Sequence, residues 1–178
     1  FDEYKIHLKP SGHNLGSALT IVEDAKHRLI FTGDFKLNAG LTTIGADLEP
    51  CDFLVMETTF GLPNLRFPAP EIVHQQIVDW VKYTLSQHEV PVLVGYTVGK
   101  TQELVKLLSN AEIPTLVHPS IWEICKLYSR CGVDFPCAQV WNNTDVVVPK
   151  ESVLVIPESS LGSGPMRHIG RYRTAQVS

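Results

Sequence analysis

The apolar residues of this chain follow two different patterns. In the first third of the chain, polar and apolar residues alternate over residues 5–8 and short, mainly apolar runs follow between polar turns. These stretches predict β-strands over residues 5–8, 18–22, 28–32 and 52–56. The polar turn at residues 23–27 joins the second run to the third and predicts an antiparallel hairpin. The fourth run is continuously apolar after Asp52, which is typical of a fully buried strand.

From about residue 70 onward, apolar runs alternate with stretches of helical spacing. Helices are predicted over residues 71–87, 100–108 and 120–131, and strands over residues 91–96, 114–117 and 153–157. Strands that alternate with helices predict βαβ units and a largely parallel sheet with flanking helices. Because the pattern changes within a proline-rich stretch, we predict an α/β protein divided into two portions, residues 1–65 and 66–178.

Composition indicates an ordinary globular protein and leaves little room for a general nucleic-acid-binding surface. Hydrophobic residues make up 44% of the chain, charged residues 19%, and the net charge is −4. Any nucleic-acid role therefore needs a local basic site. No apolar run approaches the roughly 20 residues of a membrane span, and no signal peptide is evident. The four widely spaced cysteines argue against a zinc ribbon, so we expect reduced thiols and a cytoplasmic protein without a membrane partner.

Three residues that can bind metal or move protons follow predicted strands. His13 lies in a glycine-flanked turn, Asp34 follows Gly33, and Glu57 ends the apolar run at residues 52–56. Loops at strand ends are where functional sites are often built. Imidazole and carboxylate together suit zinc or manganese, although two ligands are too few for a catalytic metal. The alternatives are a hydrogen-bonded histidine, a turn-forming aspartate and an exposed strand end.

A second candidate site lies where a predicted strand passes into a helix. Gly99 and Lys100 open the helix predicted over residues 100–108, and free N–H groups with a lysine there suit an anionic oxygen. The spacing is not that of a Walker P-loop, and an ordinary βα turn is the alternative. The stretch Ser159–Gly164 after the last predicted strand could be flexible or could cradle a phosphate.

The three strand-end motifs resemble those of the metallo-β-lactamase superfamily. Gly12–Ser17 resembles its third metal motif and Thr32–Asp34 its fourth. Glu57–Gly61 resembles the first motif of the β-CASP branch of nucleic-acid-processing nucleases, which includes ribonuclease J, the polyadenylation endonuclease and the Artemis-type DNA repair nucleases. The resemblance covers nearly the whole chain, and the order and spacing of the motifs carry it.

Three further stretches resemble one group within this branch, the bacterial ligase-associated DNA exonucleases, also called mRNA 3′-end processing factors. These stretches are Gly61–Pro63, Arg66–Pro68 and Val98–Leu104. The resemblance implies the C-terminal part of a lactamase-type β portion in residues 1–65 and a β-CASP-like layer in residues 66–178. It also implies nucleic acid, DNA or RNA, as the substrate, and a DNA ligase or another repair or processing factor as a partner.

The resemblance also implies roles for the site residues. His13 would bind one zinc ion, Asp34 would bridge two, and Glu57 would orient a histidine supplied from outside this chain. The HxHxDH metal motif of the superfamily and the last histidine ligand of the branch are absent from these 178 residues. We therefore expect the chain alone to be inactive and to bind metal weakly or not at all.

Two other function classes remain open from the sequence. A non-catalytic β-CASP scaffold in a nucleic-acid-processing complex would have no need to keep His13, Asp34 and Glu57 together. A lactamase-fold hydrolase of small esters or thioesters would lack the βα-rich portion from about residue 70. We therefore favour a metal-dependent nuclease, of exonuclease or RNA-processing type.

Overall fold

The computed structural model of the chain describes residues 3–142, 148–149, 151–163 and 165–177. Gly164, the last residue of the glycine- and serine-rich stretch noted in the sequence, lies outside the described residues. The chain forms two compact units, and the boundary between them falls between Phe67 and Pro68. None of the helices in the described part of the chain has the length and apolarity that a membrane crossing needs.

The first unit is built on a four-stranded sheet with the order β1-β2-β3-β4. These strands are β1 (Lys5–Pro10), β2 (Ala18–Glu23), β3 (Arg28–Phe31) and β4 (Phe53–Val55). The β1–β2 and β2–β3 pairs are antiparallel, which confirms the predicted hairpin, and the β3–β4 pair is parallel. Strands β1, β3 and β4 therefore run in the same direction and end at the same edge of the sheet.

The core of the first unit lies on one face of this sheet. Leu19, Ile21 and Ile30 are almost completely buried there. The segment between β3 and β4 is tied to β1 by a 3.0 Å hydrogen bond from the Asp47 N–H to the Pro10 carbonyl, and by an ion pair between Lys9 and Glu49.

The burial predicted for the strand at residues 52–56 is wrong. Strand β4 is an edge strand with β3 as its one neighbour in the described sheet, so Phe53 and Leu54 remain 55% and 53% exposed. An apolar run cannot by itself show whether a second layer covers it. Glu57 consequently follows an exposed strand, and its carboxylate is not a charge at the end of a buried one.

The second unit is an α/β layer, as predicted. Its elements are α1 (Pro70–Ser86), β5 (Val90–Gly95), α2 (Lys100–Asn110), β6 (Thr115–Val117), α3 (Pro119–Arg130), β7 (Ala138–Val140), β8 (Val153–Pro157) and β9 (Tyr172–Gln176). Two short 3₁₀ helices, Glu158–Ser160 and Pro165–His168, lie between β8 and β9. The sheet order is β7-β6-β8-β5-β9, and all four neighbouring pairs are parallel.

Burial explains which strands the sequence pattern reveals. Strands β5 and β8 lie inside the sheet and every one of their residues is buried, which is why they appear as continuous apolar runs. Strands β7 and β9 are the two edges, and they are short or polar. Sequence analysis missed both of them for this reason.

A buried carboxylate holds β9 in place. The side chain of Glu89, immediately before β5, is 9% exposed. It accepts a 3.0 Å hydrogen bond from Arg171 and forms an ion pair with Arg173. A charged group at this depth is stable only when it is paired, so this three-residue contact fixes the edge strand that the apolar pattern does not show.

Candidate active site

Three of the predicted site residues lie at one edge of the first sheet. His13 follows β1, Asp34 follows β3 and Glu57 follows β4, and these strands end at the same edge because they run in the same direction. The intervening strand β2 runs the opposite way and returns the chain to the start of β3. Residues that are far apart in the sequence are thus delivered to one place by strand direction alone.

The loop that carries His13 has a defined conformation. Gly12 and Gly16 have φ angles of 77° and 87°, which side chains rarely allow. The Ser11 hydroxyl donates a 2.9 Å hydrogen bond to the carbonyl of Asp34, and Ser11 is 1% exposed. This bond ties the end of β1 to the Asp34 loop, so the backbones beneath the two candidate ligands are held together.

His13 and Asp34 are neighbours. The Nε2 atom of His13 lies 3.7 Å from Oδ2 of Asp34, and the two side chains are 43% and 71% exposed. Both groups are therefore open to solvent and close enough to act together.

Glu57 is held in an ionised state. The N–H of Thr59 donates a 2.8 Å hydrogen bond to its Oε2 atom. This bond, helped by the Thr59 side chain and by the positive potential of His13, lowers the pKa of the Glu57 carboxyl below its usual range. An ionised carboxylate accepts hydrogen bonds and can therefore orient a cationic or hydrogen-bond-donating partner. It has no proton to donate.

The donor set fits part of a zinc site. Two ligands that share one tetrahedral zinc ion at about 2.0–2.1 Å stand roughly 3.3 Å apart, close to the His13–Asp34 separation. Within the described ranges, no three side chains of His, Cys, Asp or Glu are grouped so that they could hold a metal ion. All four cysteines are without a disulfide bond, and none lies in these three loops.

The Gly99–Lys100 turn differs from its expected form. Gly99 has a φ angle of 87° and is buried, and its N–H is not free, because it donates a 2.6 Å hydrogen bond to Oε1 of Gln102. Thr101 donates through its hydroxyl to the Tyr96 carbonyl at 2.8 Å. The loop therefore satisfies part of its own polar backbone, and the Lys100 side chain is exposed and could meet an anion. Both residues belong to the second unit.

Sequence analysis missed one polar cluster in the second unit. His118 follows β6, and its Nε2 atom lies 3.2 Å from the hydroxyl of Ser160, which follows β8. Its Nδ1 atom accepts a 3.2 Å hydrogen bond from the Ser120 N–H at the start of α3. Burial lowers the pKa of His118, so the neutral imidazole links the two loops. The sequence feature that could have pointed to His118 is its position between a predicted strand and Pro119.

Comparison with known proteins decides the family. A protein from Acidianus ambivalens named for the region 3′ of lig is 30% identical over 135 residues, which cover 74% of this chain and 92% of that protein. A probable DNA ligase from Opitutus terrae is 34% identical over 177 residues, 96% of this chain but 17% of that protein. An RNase J-like protein from Methanocaldococcus jannaschii is 25% identical over 111 residues, 61% of this chain and 26% of that protein.

The chain belongs to the β-CASP branch of the metallo-β-lactamase superfamily. The resemblance that the motifs indicate is thereby confirmed. No family model matches the chain. This β-CASP chain spans about a quarter or less of the length of the ligase and of the RNase J-like protein, and it corresponds to a part of them.

Proposed function

We propose that this chain is part of a metal-dependent nuclease that hydrolyses phosphodiester bonds in nucleic acid. The observation that carries the proposal is the 3.7 Å approach of His13 and Asp34 at one sheet edge, with Glu57 within electrostatic range of His13. The relative named RNase J-like supports nuclease chemistry. By itself the chain is inactive in this proposal, because it supplies only part of the ligand set.

Each of the three residues has a distinct task. His13 would offer Nε2 and Asp34 would offer its carboxylate oxygens to zinc, and Asp34 would be shared by two ions. Bound zinc supplies Lewis acidity toward a phosphoryl oxygen and lowers the pKa of water. Glu57 accepts the Thr59 N–H through Oε2, and its carboxylate would in addition hold the N–H of a histidine from another part of the protein. That histidine would protonate the leaving oxygen.

The substrate is a DNA or RNA strand, and the names of relatives support both. The Opitutus terrae protein is named a probable DNA ligase and the Acidianus ambivalens protein is named after lig, which favours a DNA end that is trimmed beside a ligase. The Dictyostelium discoideum relative is named cleavage and polyadenylation specificity factor subunit 3, which favours RNA 3′-end processing. We propose an exonuclease or end-processing enzyme with a ligase or processing factor as its partner.

Two conservative substitutions in the longer protein test this proposal. We expect Asp34→Asn to reduce the bound metal, because a ligand shared by two ions is weakened. We expect Glu57→Gln to keep the metal and to lower turnover by about a hundredfold, the typical size of general acid–base assistance. Metal content by mass spectrometry and cleavage of a labelled strand are measured on the same preparations.

Asp47→Asn is the matched control, because Asp47 is an exposed carboxylate in the same unit that pairs with Lys9. It should change neither metal content nor turnover. Full activity in both the Asp34 and the Glu57 variants would rule out the proposed site and leave a scaffold as the better explanation. Loss of metal in the Glu57 variant would show that Glu57 is itself a metal ligand.

A further inference from the structure

Phe60 and Phe67 form an exposed aromatic pair on the loop that follows Glu57. Their ring centroids are 5.0 Å apart and their planes meet at 88°, an edge-to-face contact. The two side chains are nevertheless 60% and 70% exposed. In an edge-to-face pair at least one face of each ring is left uncovered by the other ring, so aromatic surface remains open here.

Two consecutive turns build this pair. The Gly61 N–H donates a 3.0 Å hydrogen bond to the Thr58 carbonyl, and the Leu65 N–H donates a 3.0 Å bond to the Leu62 carbonyl. The chain thereby folds back on itself and brings Phe67 against Phe60. The contact is local in the sequence, because both rings belong to one loop that contains these two turns.

The pair is anchored to the candidate active site. The first turn begins at Thr58, and the next residue, Thr59, donates its N–H to the Glu57 carboxylate at 2.8 Å. Phe60 follows directly. The loop that carries Phe60 therefore begins at the hydrogen bond that lowers the pKa of Glu57, so the aromatic pair and this carboxylate share one loop.

A cation stands within the same loop. Arg66 immediately precedes Phe67 and is exposed, and no carboxylate in the described part of the chain forms an ion pair with it. A guanidinium group pairs with phosphate oxygens through parallel hydrogen bonds. Open aromatic faces and such a group on one short loop are a combination that binds single-stranded nucleic acid, because bases stack on the rings while the cation contacts the phosphate backbone.

We propose that Phe60, Arg66 and Phe67, together called the aromatic platform, bind an unpaired stretch of the substrate strand beside the His13–Asp34 edge. One base stacks on the rings and Arg66 contacts a phosphate. The ligand is single-stranded, since a duplex hides the faces of its bases. This inference rests on the proposed function, because it assigns a substrate class to the same site.

The test is strand binding by the 178-residue chain, with no cleavage required. A single-stranded oligonucleotide that contains 2-aminopurine is titrated with protein in the presence of EDTA. Stacking quenches the fluorescence of this base, so the wild-type chain should quench it. Phe67→Leu should abolish the quenching and weaken binding about fivefold or more, the lower end of the range for one stacked base. Arg66→Ala should reduce the salt dependence by about one phosphate contact.

Phe53→Leu is the matched control, because Phe53 is a 55% exposed phenylalanine in the same unit but outside the platform. It should leave quenching and affinity unchanged. A strand with an abasic site in place of 2-aminopurine should bind the wild type and Phe67→Leu equally. Circular dichroism establishes that each variant is folded as the wild type is.

Three results overturn the platform: a wild-type chain that binds no single strand, quenching that survives Phe67→Leu, or equal losses in Phe53→Leu and Phe67→Leu. A Phe67→Leu variant with unchanged strand binding but altered self-association by ultracentrifugation would assign the surface to protein contact. The proposed function is tested separately, and it fails if the longer protein cannot cleave a nucleic-acid strand. If the 178-residue chain quenches the fluorescence but the longer protein does not cleave, the aromatic platform is supported and the nuclease proposal is wrong.

Discussion

Nε2 of His13 and Oδ2 of Asp34 lie 3.7 Å apart, although the complete β2–β3 hairpin separates the two residues in the sequence. The approach follows from strand direction, because β1 and β3 both run antiparallel to β2 and so end at the same edge. The hydrogen bond from the Ser11 hydroxyl to the Asp34 carbonyl then joins the two loops. The geometry of the candidate ligand pair is therefore a property of the sheet rather than of either loop alone.

Gly12 should be the most sensitive glycine in the His13 loop. A Cβ atom at Gly12 would lie 2.3 Å from the Lys36 carbonyl oxygen, whereas one at Gly16 would have no atom within 4 Å. Both residues have positive φ, which costs an L-residue roughly 1–2 kcal/mol. We expect Gly12→Ala to lower the free energy of unfolding by about 1–3 kcal/mol more than Gly16→Ala, because of the added clash.

Urea denaturation of the two alanine variants measures this difference. The Gly12 variant should also broaden or shift the His13 imidazole signals in an NMR spectrum, since the displaced backbone is adjacent to His13. Equal stability of the two variants would show that the loop can move away from Lys36 without loss. The interpretation of this loop as a fixed support for His13 would then fail.

Zinc binding by the isolated chain should be weak. A catalytic zinc site takes three protein ligands, and His13 and Asp34 are two. Calorimetry with zinc should therefore give no tight stoichiometric binding once the free thiols, such as the exposed Cys131, have been alkylated. Tight binding that survives His13→Ala would place the metal site elsewhere in the chain.

Lys100 should contribute one phosphate contact in the longer protein. Its side chain is exposed at the start of α2, while the Gly99 N–H is already bonded to Gln102. Lys100→Ala should reduce the slope of log affinity against log salt by about one contact and weaken binding similarly for all sequences. Lys126→Ala, which removes a lysine paired with Glu123 on α3, is the control. An unchanged slope would show that this loop is an ordinary βα turn without a phosphate contact.

His118 should make the stability of the folded chain depend on pH. Burial lowers its pKa in the folded protein, so below the ordinary histidine value of about 6.5 the unfolded chain binds more protons. The free energy of unfolding therefore falls as the pH drops from about 6.5 through the folded pKa. His118→Asn retains a side-chain acceptor for the Ser120 N–H at the start of α3 but cannot be protonated.

Thermal unfolding between about pH 7 and about pH 5 checks this expectation. The wild-type chain should lose more stability across this interval than His118→Asn, whose midpoint should change only with the other titrating groups. Parallel curves for the two proteins would mean that His118 is protonated as readily in the folded chain as in the unfolded one.

The chain order of the three α-helices and of strands β1 to β6 and β8 was predictable, because each of these elements has a local pattern of apolar residues. The runs at residues 91–96 and 153–157 are apolar throughout, as strands enclosed on both faces require, and they are the central strands β5 and β8. His13, Asp34 and Glu57 could be selected for the same local reason, since each follows an apolar run. The predicted roles of these three residues remain predictions.

Contacts made by individual polar side chains were decided by the three-dimensional structure. The Gln102 amide that occupies the Gly99 N–H, and the Glu89 carboxylate that holds β9 through Arg171 and Arg173, have no periodic signature. The exposure of β4 likewise depends on its edge position, which an apolar run does not encode.

The sequence by itself determined that His13, Asp34 and Glu57 each follow a strand, because hydrophobic periodicity is a property of neighbouring positions. Only the tertiary structure decided that the ends of β1 and β3 meet and bring His13 within 3.7 Å of Asp34. Strand pairing and register set such distances, and they arise from packing between segments that are far apart in the chain.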